Sequence, residues 1–356
     1  MTMRLERRTQ PSRTALVLAP VGAVAFTLLV SALLVLWAGA PVGRTYGLLL
    51  SGGFGSVFAL SETLTRAIPL ILTGLSAAVA FRARLFNIGA EGQLYAGALA
   101  AVAIGGVHDG TGLEWPVAVL LPLMFLAAAL AGALLLLGPA LMKSRLGVDE
   151  VVTTLLLNFI VLLAVGALLD GPMKDPNAMG WPQSVALQSD LELSKLIPQT
   201  RVHSGLLGAL VLAVGVWLLF KHTVLGFDIR ALGANPRAAT FAGVPVTRTV
   251  VLTALLSGAL AGLAGAVEVA GRTSYLTLDM SPGYGYSGIV IAMLAGLHPL
   301  GVVAAAVFVA GVLVGADSMS RAVGVPTYIA DVIVAASLLS VLVAALFTQF
   351  RLRWSR

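Results

Sequence analysis

The stretch LSGALAGLAGAVEVAGR, Leu256–Arg272, consists almost entirely of small and apolar residues. Its glycines Gly258, Gly262 and Gly265 fall on one face of a helix, because positions three or four apart share a face. In lipid, small residues at this spacing let two helix backbones approach closely, and that packing drives helix association. The stretch therefore predicts a membrane helix inside a tightly packed bundle.

The composition of the whole chain points to the same class. The 356 residues are 58% hydrophobic and only 11% charged, with a mean hydropathy of +0.97, whereas a soluble domain carries about 25% charged residues. Repeated apolar runs of about 20 residues are typical of bilayer spans, so the predicted fold is an all-α polytopic membrane protein. The absence of cysteine excludes disulfides and thiolate metal sites.

The distribution of basic residues predicts the topology. About ten transmembrane helices account for the sequence, and of the 22 Lys and Arg residues 15 fall on one side of this layout and seven on the other. Because cytoplasmic loops carry the excess of Lys and Arg, both termini are predicted to be cytoplasmic. The tails are residues 1–14 and 348–356, and the transmembrane domain is 15–347. The predicted spans are roughly 15–37, 63–81, 87–106, 115–141, 150–169, 204–220, 249–271, 284–297, 299–316 and 327–347.

The order of the spans predicts internal symmetry. Spans two to five start outside and spans seven to ten start inside, which predicts two inverted four-helix repeats around a central helix, as in transporters built from inverted repeats.

The glycine-broken segment 46–60 is predicted to be interfacial or re-entrant. The net charge of +6 does not indicate nucleic-acid binding, because the basic residues are sorted by side of the membrane.

Two polar loops interrupt the apolar sequence. Lys221–Arg248, KHTVLGFDIRALGANPRAATFAGVPVTR, has helix-forming pieces at Asp228–Leu232 and Pro236–Phe241 between Gly and Pro breakers. It is either a basic loop that sets topology or a helical docking surface for a soluble partner. The large outer loop, 170–203, is expected to hold a short helix near Val185–Leu196, and it either caps the bundle or contacts a donor protein.

Polar residues at the start of the third span are candidates for a solute pathway, because intramembrane polar groups are costly and usually face a bundle interior or an aqueous path. Asn87 and Glu91 are one helical turn apart on one face, while Gln93 is expected to project to the opposite side. Glu91 either pairs with Arg82 or Arg84 at the interface or orders the inner mouth of a pathway.

Two further i, i+4 pairs lie in the spans. Thr154 and Asn158 in the fifth span either make interhelical hydrogen bonds or line a pathway. Glu268 and Arg272 in the seventh span have the acid on the N-terminal side, which favours an intrahelical ion pair.

The sequence holds no motif for catalysis. It has no G-x-x-x-x-G-K-[ST] phosphate loop, and its four histidines lie in loops without H-E-x-x-H spacing. We therefore expect no catalytic residues, metal or cofactor, and no enzyme activity in this chain.

Four stretches together resemble the permease subunits of ABC importers of the nucleoside and simple-sugar class, which are served by BMP-type binding lipoproteins. The resemblance covers nearly the whole chain from the second span onward. The stretches are Phe86–Leu94 (FNIGAEGQL), Asp149–Asn158 (DEVVTTLLLN), Gly226–Gly243 (GFDIRALGANPRAATFAG) and Gly283–Leu300 (GYGYSGIVIAMLAGLHPL).

The resemblance implies a function and partners. A coupling helix within 221–248 would fit a groove on a separate ABC ATPase, a double nucleotide-binding polypeptide, in a bacterial cytoplasmic (inner) membrane. A second related permease and an outer substrate-binding lipoprotein would complete the importer. The positions carried over to ATPase coupling are Gly226, Arg230, Gly233, Asn235, Pro236, Ala239 and Gly243, and the candidate pathway residues are Asn87, Glu91, Thr154 and Asn158.

The alternative is an ion-coupled secondary transporter of a small polar solute. Such a carrier is expected to place its ionisable residues near the bilayer midplane, beside broken helices. In the predicted layout Glu91 lies towards one face and Glu268 towards the other, which favours the importer permease. The sequence leaves open nucleoside or sugar as solute, and pairing with a second copy or with a related permease.

Overall fold

The computed structural model describes residues 2–7, 13–107, 115–324 and 350–355, together with positions 332, 335, 336, 339, 340 and 343. Short 3-10 and π-helical turns cover Ser189–Leu191 and Val269–Thr273. The helices and strands are β1 (Thr2–Arg7), α1 (Arg13–Trp37), α2 (Val42–Phe54), α3 (Val57–Arg82), α4 (Ala90–Gly105), α5 (Val117–Leu146), α6 (Glu150–Asp170), α7 (Gly205–His222), α8 (Val224–Ala234), α9 (Pro236–Phe241), α10 (Val246–Glu268), α11 (Tyr284–Leu294), α12 (Pro299–Val323) and β2 (Phe350–Ser355).

Within these residues, six helices are long and apolar enough to cross a membrane: α3, α5, α6, α7, α10 and α12. The end of α1 and α2, bent by 117° from each other, make a seventh if they form one broken span. Helices α4 and α11 coincide with predicted spans but have only 16 and 11 residues, fewer than the roughly 20 that a straight span needs. The tenth predicted span, 327–347, lies almost wholly outside the described residues, so the count of ten is not confirmed.

The two terminal tails form a pair of strands that the all-α prediction missed. β1 and β2 are antiparallel, with Thr2 opposite Ser355 and Arg7 opposite Phe350. The signal was present in both tails, because apolar and charged residues alternate along MRLER and FRLRW, and that alternation is typical of a strand.

The described residues divide into two compact units, one formed by residues 64–307 and the other by 1–63 with 308–356. In the first unit α10 packs against α4 and α5 at its glycines. A Cβ added at Gly258 would lie 2.3 Å from the Gly132 carbonyl oxygen on α5, and one at Gly265 would lie 1.9 Å from the Leu94 carbonyl oxygen on α4. The close backbone approach predicted from Leu256–Arg272 is confirmed.

In the second unit, helices also pack closely at glycines. A Cβ at Gly53 on α2 would lie 2.3 Å from the Gly311 carbonyl oxygen on α12, and one at Gly315 would lie 2.1 Å from the Leu49 carbonyl oxygen. The small buried core beside this contact is formed by Val35, Ala40, Ala316 and Met319.

The 171–204 segment consists of turns, isolated bridges and irregular chain. The helix expected near Val185–Leu196 is wrong, because only the 3-10 turn Ser189–Leu191 forms there. Backbone groups of the segment bond instead to the end of α4 and to residues 270–276. The Leu187 and Leu193 amides donate to the Ser274 and Ala270 carbonyls at 2.7 and 2.8 Å.

Candidate functional site

The chain between α3 and α4, residues 83–89, is not helical, and three side chains of α6 hold it in place. Phe86 N–H donates to Glu150 Oε1 at 3.1 Å, and Ile88 N–H donates to Thr154 Oγ1 at 3.2 Å. Asn158 Nδ2 donates to the Ile88 carbonyl at 2.8 Å. Because the three α6 residues are four positions apart, they form one stripe along the helix and reach successive groups of the 83–89 segment.

Asn158 also binds the first turn of α4. Its Oδ1 accepts the Gly92 N–H at 2.8 Å, and its Nδ2 lies 3.2 Å from the Tyr286 hydroxyl. Both Thr154 and Asn158 are buried. The interhelical hydrogen bond that the sequence allowed is therefore present for Asn158, whereas Thr154 bonds to the non-helical 83–89 segment.

Asn87 lies in a second buried network, which joins α4 to α10. Its amide exchanges two hydrogen bonds of 2.9 Å with the Gln93 amide, and its Nδ2 also lies 3.1 Å from Ser257 Oγ. The expectation that Gln93 projects away from Asn87 is wrong, because α4 begins only at Ala90 and Asn87 precedes the helix.

Glu91 is 3% exposed, and its carboxylate meets the N-terminus of α11. Its Oε2 accepts the Gly285 N–H at 2.6 Å, so its partner is a backbone amide and not Arg82 or Arg84. A carboxylate in this place satisfies an otherwise unpaired helix N–H and interacts favourably with the helix dipole. The geometry explains why the acid is stable at a buried position.

Two ion pairs also lie near these residues. Lys143 pairs with Glu150 and also donates to the Arg84 carbonyl at 2.6 Å. The predicted pair of Glu268 and Arg272 is confirmed. Since Glu268 is the last residue of α10 and Arg272 lies in the π-helical turn that follows, the pair closes the end of that helix.

The hydrogen bonds of two buried tyrosines near these residues were missed from sequence. Arg272 donates to the Tyr284 hydroxyl at 3.1 Å, and Ser281 N–H donates to the Tyr95 hydroxyl at 3.3 Å. Both tyrosines are at most 1% exposed. The sequence did contain a signal for these contacts. A tyrosine within an apolar run predicts a buried hydroxyl, and a buried hydroxyl needs a hydrogen-bond partner.

Helices α8 and α9, called here the α8–α9 pair, lie within the polar stretch Lys221–Arg248, between the end of α7 and the start of α10. Thr223 caps α8 by accepting the Gly226 N–H at 3.0 Å. Asn235 ends α8 and caps α9 by accepting the Arg237 and Ala238 N–H groups at 3.0 and 3.2 Å. With Pro236 in the first turn of α9, these caps define two separate short helices. The helical interpretation of this stretch is confirmed.

The α8–α9 pair has a packed side and an exposed side. A Cβ at Gly226 would lie 2.1 Å from the Leu219 carbonyl oxygen, and one at Gly233 would lie 1.8 Å from the Arg82 carbonyl oxygen. Ala239 is also buried, whereas Phe241 is 94% exposed. Of the residues that the resemblance assigned to ATPase coupling, Gly226, Gly233 and Ala239 therefore pack against the rest of the protein.

The remaining carried-over residues lie on the exposed side or at a turn. Arg230 is exposed, and its Nε donates to the Gly226 carbonyl at 3.2 Å. Gly243 has a φ of +83°, a conformation that favours glycine. Asn235 and Pro236 are exposed at the turn between the two helices.

No group of three or more His, Cys, Asp or Glu residues is placed to hold a metal ion within the described ranges.

His203 lies just before α7 and is buried at 1% exposure. Its ring fills a slot made by two glycines: a Cβ at Gly271 would lie 2.2 Å from the ring, and one at Gly205 would lie 2.7 Å from it. The ring Nδ1 accepts the Gly205 N–H at 3.3 Å, which requires this nitrogen to be unprotonated. Burial lowers the pKa of His203 from its ordinary 6.5 to about 4.

We expect acid to destabilise the protein through His203. The pKa of His203 is lower in the folded state than in the unfolded state, so folding favours the neutral ring. The contribution of His203 to the free energy of unfolding is therefore fully present above pH 6.5. It decreases as the pH falls from 6.5 towards 4, by roughly 2 kcal/mol at pH 5. Melting temperatures in detergent at pH 7.5 and 5.0 measure this loss, which should shrink in His203→Asn but not in His222→Asn. Equal acid sensitivity in all three proteins would contradict the assignment.

Residues 59–342 match the family described as branched-chain amino acid transport system / permease component. The chain belongs to this family. It is 36% identical over 332 residues to the guanosine ABC transporter permease protein of Bacillus subtilis, covering 92% of this chain and 94% of the relative. It is also 36% identical over 316 residues to the glucose ABC transporter permease protein of Haloferax volcanii, covering 86% and 82%.

Among solved structures, the chain is similar to a putative metal-chelate type ABC transporter in an inward-facing conformation. The TM-score is 0.47 at 19% identity, over 89% of this chain and 98% of that one.

As an ABC permease, the chain is a multi-pass membrane component of a transport system. It is not the enzyme of that system, because ATP hydrolysis takes place on a separate subunit. An ATPase and a substrate-binding protein are the partners that such a permease implies in general.

Proposed function

We propose that this permease forms half of the translocation pathway of a nucleoside importer in a bacterial cytoplasmic membrane, with a simple sugar as the second candidate solute. The full-length similarity to a guanosine permease supports the first solute, and the equal identity to a glucose permease supports the second. Uptake of radiolabelled guanosine and glucose by vesicles that contain the complex decides between them. If the vesicles take up neither solute, the proposal is contradicted.

We propose that the α8–α9 pair is the surface that docks the ATPase. The observation that carries this proposal is Phe241, a large apolar side chain that is 94% exposed at the end of a capped, polar helix pair. Val224 and Phe227 of α8 are also exposed, at 77% and 57%. Exposed apolar patches rimmed by polar residues mark interaction sites, and aromatic anchors dominate the energy of protein interfaces. Arg230, Asn235 and Pro236 are exposed on the same pair, where they would contact the same partner.

Phe241→Ala is expected to weaken ATPase binding by at least about 2 kcal/mol, close to a 30-fold loss of affinity. The fold should be unaffected, because the side chain is exposed. The measurement is the amount of ATPase that co-purifies with tagged permease in detergent. Phe159→Ala is the matched control, since Phe159 is 56% exposed on the apolar helix α6.

Retention of the ATPase by Phe241→Ala would exclude this docking surface. Gly233→Arg is a poorer test of docking, because a side chain at Gly233 would meet the Arg82 carbonyl of the same chain and displace α8 itself.

The remaining architecture is proposed on the pattern of the sequence. We propose ten spans arranged as two inverted four-helix repeats around α7, with residues 1–14 and 348–356 on the cytoplasmic side and the 170–203 loop outside. The permease would pair with a second related permease and work with a double ATPase polypeptide and an outer binding lipoprotein. The basic-residue bias supports this orientation, and accessibility labelling of single cysteines on either side of the membrane tests it.

The pathway assignment of Asn87, Glu91, Thr154 and Asn158 stays a prediction. All four are buried in the described conformation, and their hydrogen bonds to protein groups support a role in shaping the pathway. The family match favours the ABC permease over the ion-coupled carrier that the sequence had left as the alternative.

A further inference from the structure

A continuous run of contacts leads from the α8–α9 pair to α11 through residues 82–92, called here the 82–92 link. At its first end, Gly233 of α8 packs against the Arg82 carbonyl, where an added Cβ would be only 1.8 Å from the oxygen. No side chain separates the two backbones, so a displacement of α8 acts directly on the end of α3 and the start of the link.

The middle of the link is held by α6 and not by a helix of its own. Glu150, Thr154 and Asn158 bond to the backbone at Phe86, Ile88 and Gly92, at distances between 2.8 and 3.2 Å. The non-helical part of the link, residues 83–89, and the first turn of α4 either move with α6 or must break these buried hydrogen bonds, and each unsatisfied buried group is costly.

The far end of the link holds α11 through one side chain. Glu91 accepts the Gly285 N–H at 2.6 Å, and a Cβ at Gly285 would lie 2.2 Å from the Glu91 backbone nitrogen. Helix α11 has only 11 residues, and it lies between Gly283 with a φ of +85° and Gly296 with a φ of +58°. The two glycine turns bound α11 as a short piece that is separate from the neighbouring helices.

We infer that Glu91 is a positioning residue, which ties the short helix α11 to the α8–α9 pair through the 82–92 link. Displacement of the pair by the ATPase is transmitted along the link to the N-terminus of α11. Glu91 thus couples ATP hydrolysis to reorientation of α11 and does not need to touch the solute. This inference rests on the proposed docking of the ATPase at the α8–α9 pair.

The test compares solute uptake with ATP hydrolysis in one preparation. The complete importer, purified from its native membrane, is reconstituted in vesicles, and radiolabelled guanosine and glucose are used as probes. In Glu91→Ala we expect at least about tenfold less solute moved per ATP, because the buried hydrogen bond from the Gly285 N–H of α11 is lost. The hydrolysis rate and the half-saturating solute concentration should stay near their wild-type values.

Two variants separate positioning from a general loss of packing. Glu91→Gln keeps an acceptor oxygen for the Gly285 N–H and should recover part of the coupling. Ser184→Ala removes a buried hydrogen bond of 2.8 Å to the Leu276 N–H, far from the link in sequence, and should leave the ratio of uptake to hydrolysis unchanged.

Other outcomes overturn the inference. A raised half-saturating concentration at unchanged coupling would make Glu91 a solute contact. Parallel loss of uptake and hydrolysis in Glu91→Ala would make its role purely structural. The docking proposal fails through a different measurement. If the α8–α9 pair does not dock the ATPase, the Phe241→Ala permease still co-purifies with the ATPase, and this result does not depend on the Glu91 variants.

Discussion

Replacement of Gly265 by leucine is expected to leave little folded protein in the membrane. The Cβ alone would lie 1.9 Å from the Leu94 carbonyl oxygen and 2.7 Å from the Ala98 nitrogen. Both obstacles are backbone atoms of α4, so no rotamer change can make room. The helices α4 and α10 would have to separate, and the close packing that holds them in lipid would be lost. We expect a cost of more than about 3 kcal/mol, beyond the usual range for overpacking.

The measurement is the yield of monodisperse protein in mild detergent, followed by its melting temperature. Gly215→Leu on α7 is the matched control, because no atom lies within 4 Å of a Cβ at that position. Normal yield and melting temperature of Gly265→Leu would show that α4 and α10 do not meet at this glycine.

Asn158→Leu is expected to release the 82–92 link from α6. The leucine has a similar volume but leaves the Gly92 N–H and the Ile88 carbonyl without the partners that lie 2.8 Å away. An unsatisfied buried group costs about 1–3 kcal/mol, and two are created at once. We therefore expect destabilisation of roughly 2–5 kcal/mol, together with faster amide exchange in the first turn of α4.

Hydrogen exchange and thermal unfolding of the purified permease measure both effects. Thr153→Val serves as the control, because Thr153 bonds only within its own helix, to the carbonyls of Asp149 and Glu150. If Asn158→Leu unfolds like this control and its α4 amides stay protected, the interlock between α6 and the link is not important for stability.

The sequence was informative wherever a local pattern has one physical interpretation. Gly and Pro breakers in Lys221–Arg248 separated two helix-forming pieces, Asp228–Leu232 and Pro236–Phe241, and the structure has helices α8 and α9 at these places. The i, i+4 spacing of Glu268 and Arg272 predicted their ion pair for the same reason.

Local pattern failed where the partner is distant in sequence. The helical face assigned to Asn87 and Glu91 was wrong because α4 starts at Ala90, and a helix start is set by what satisfies its free N–H groups. The helix expected near Val185–Leu196 was replaced by irregular chain and one 3-10 turn, because backbone groups there bond to residues 270–276. Neither partner can be found from spacing along the chain.

The amino-acid sequence by itself determined the membrane class, the small-residue packing of Leu256–Arg272 and the helical polar segment, because hydropathy, residue size and capping act over a few neighbouring residues. Only the tertiary structure decided the roles of the buried polar residues. Glu91 meets Gly285, and Asn158 meets Gly92 and Ile88, across separations of 66 to 194 residues. A buried polar group must be satisfied in lipid, and its partner depends on which backbones the glycine contacts bring together.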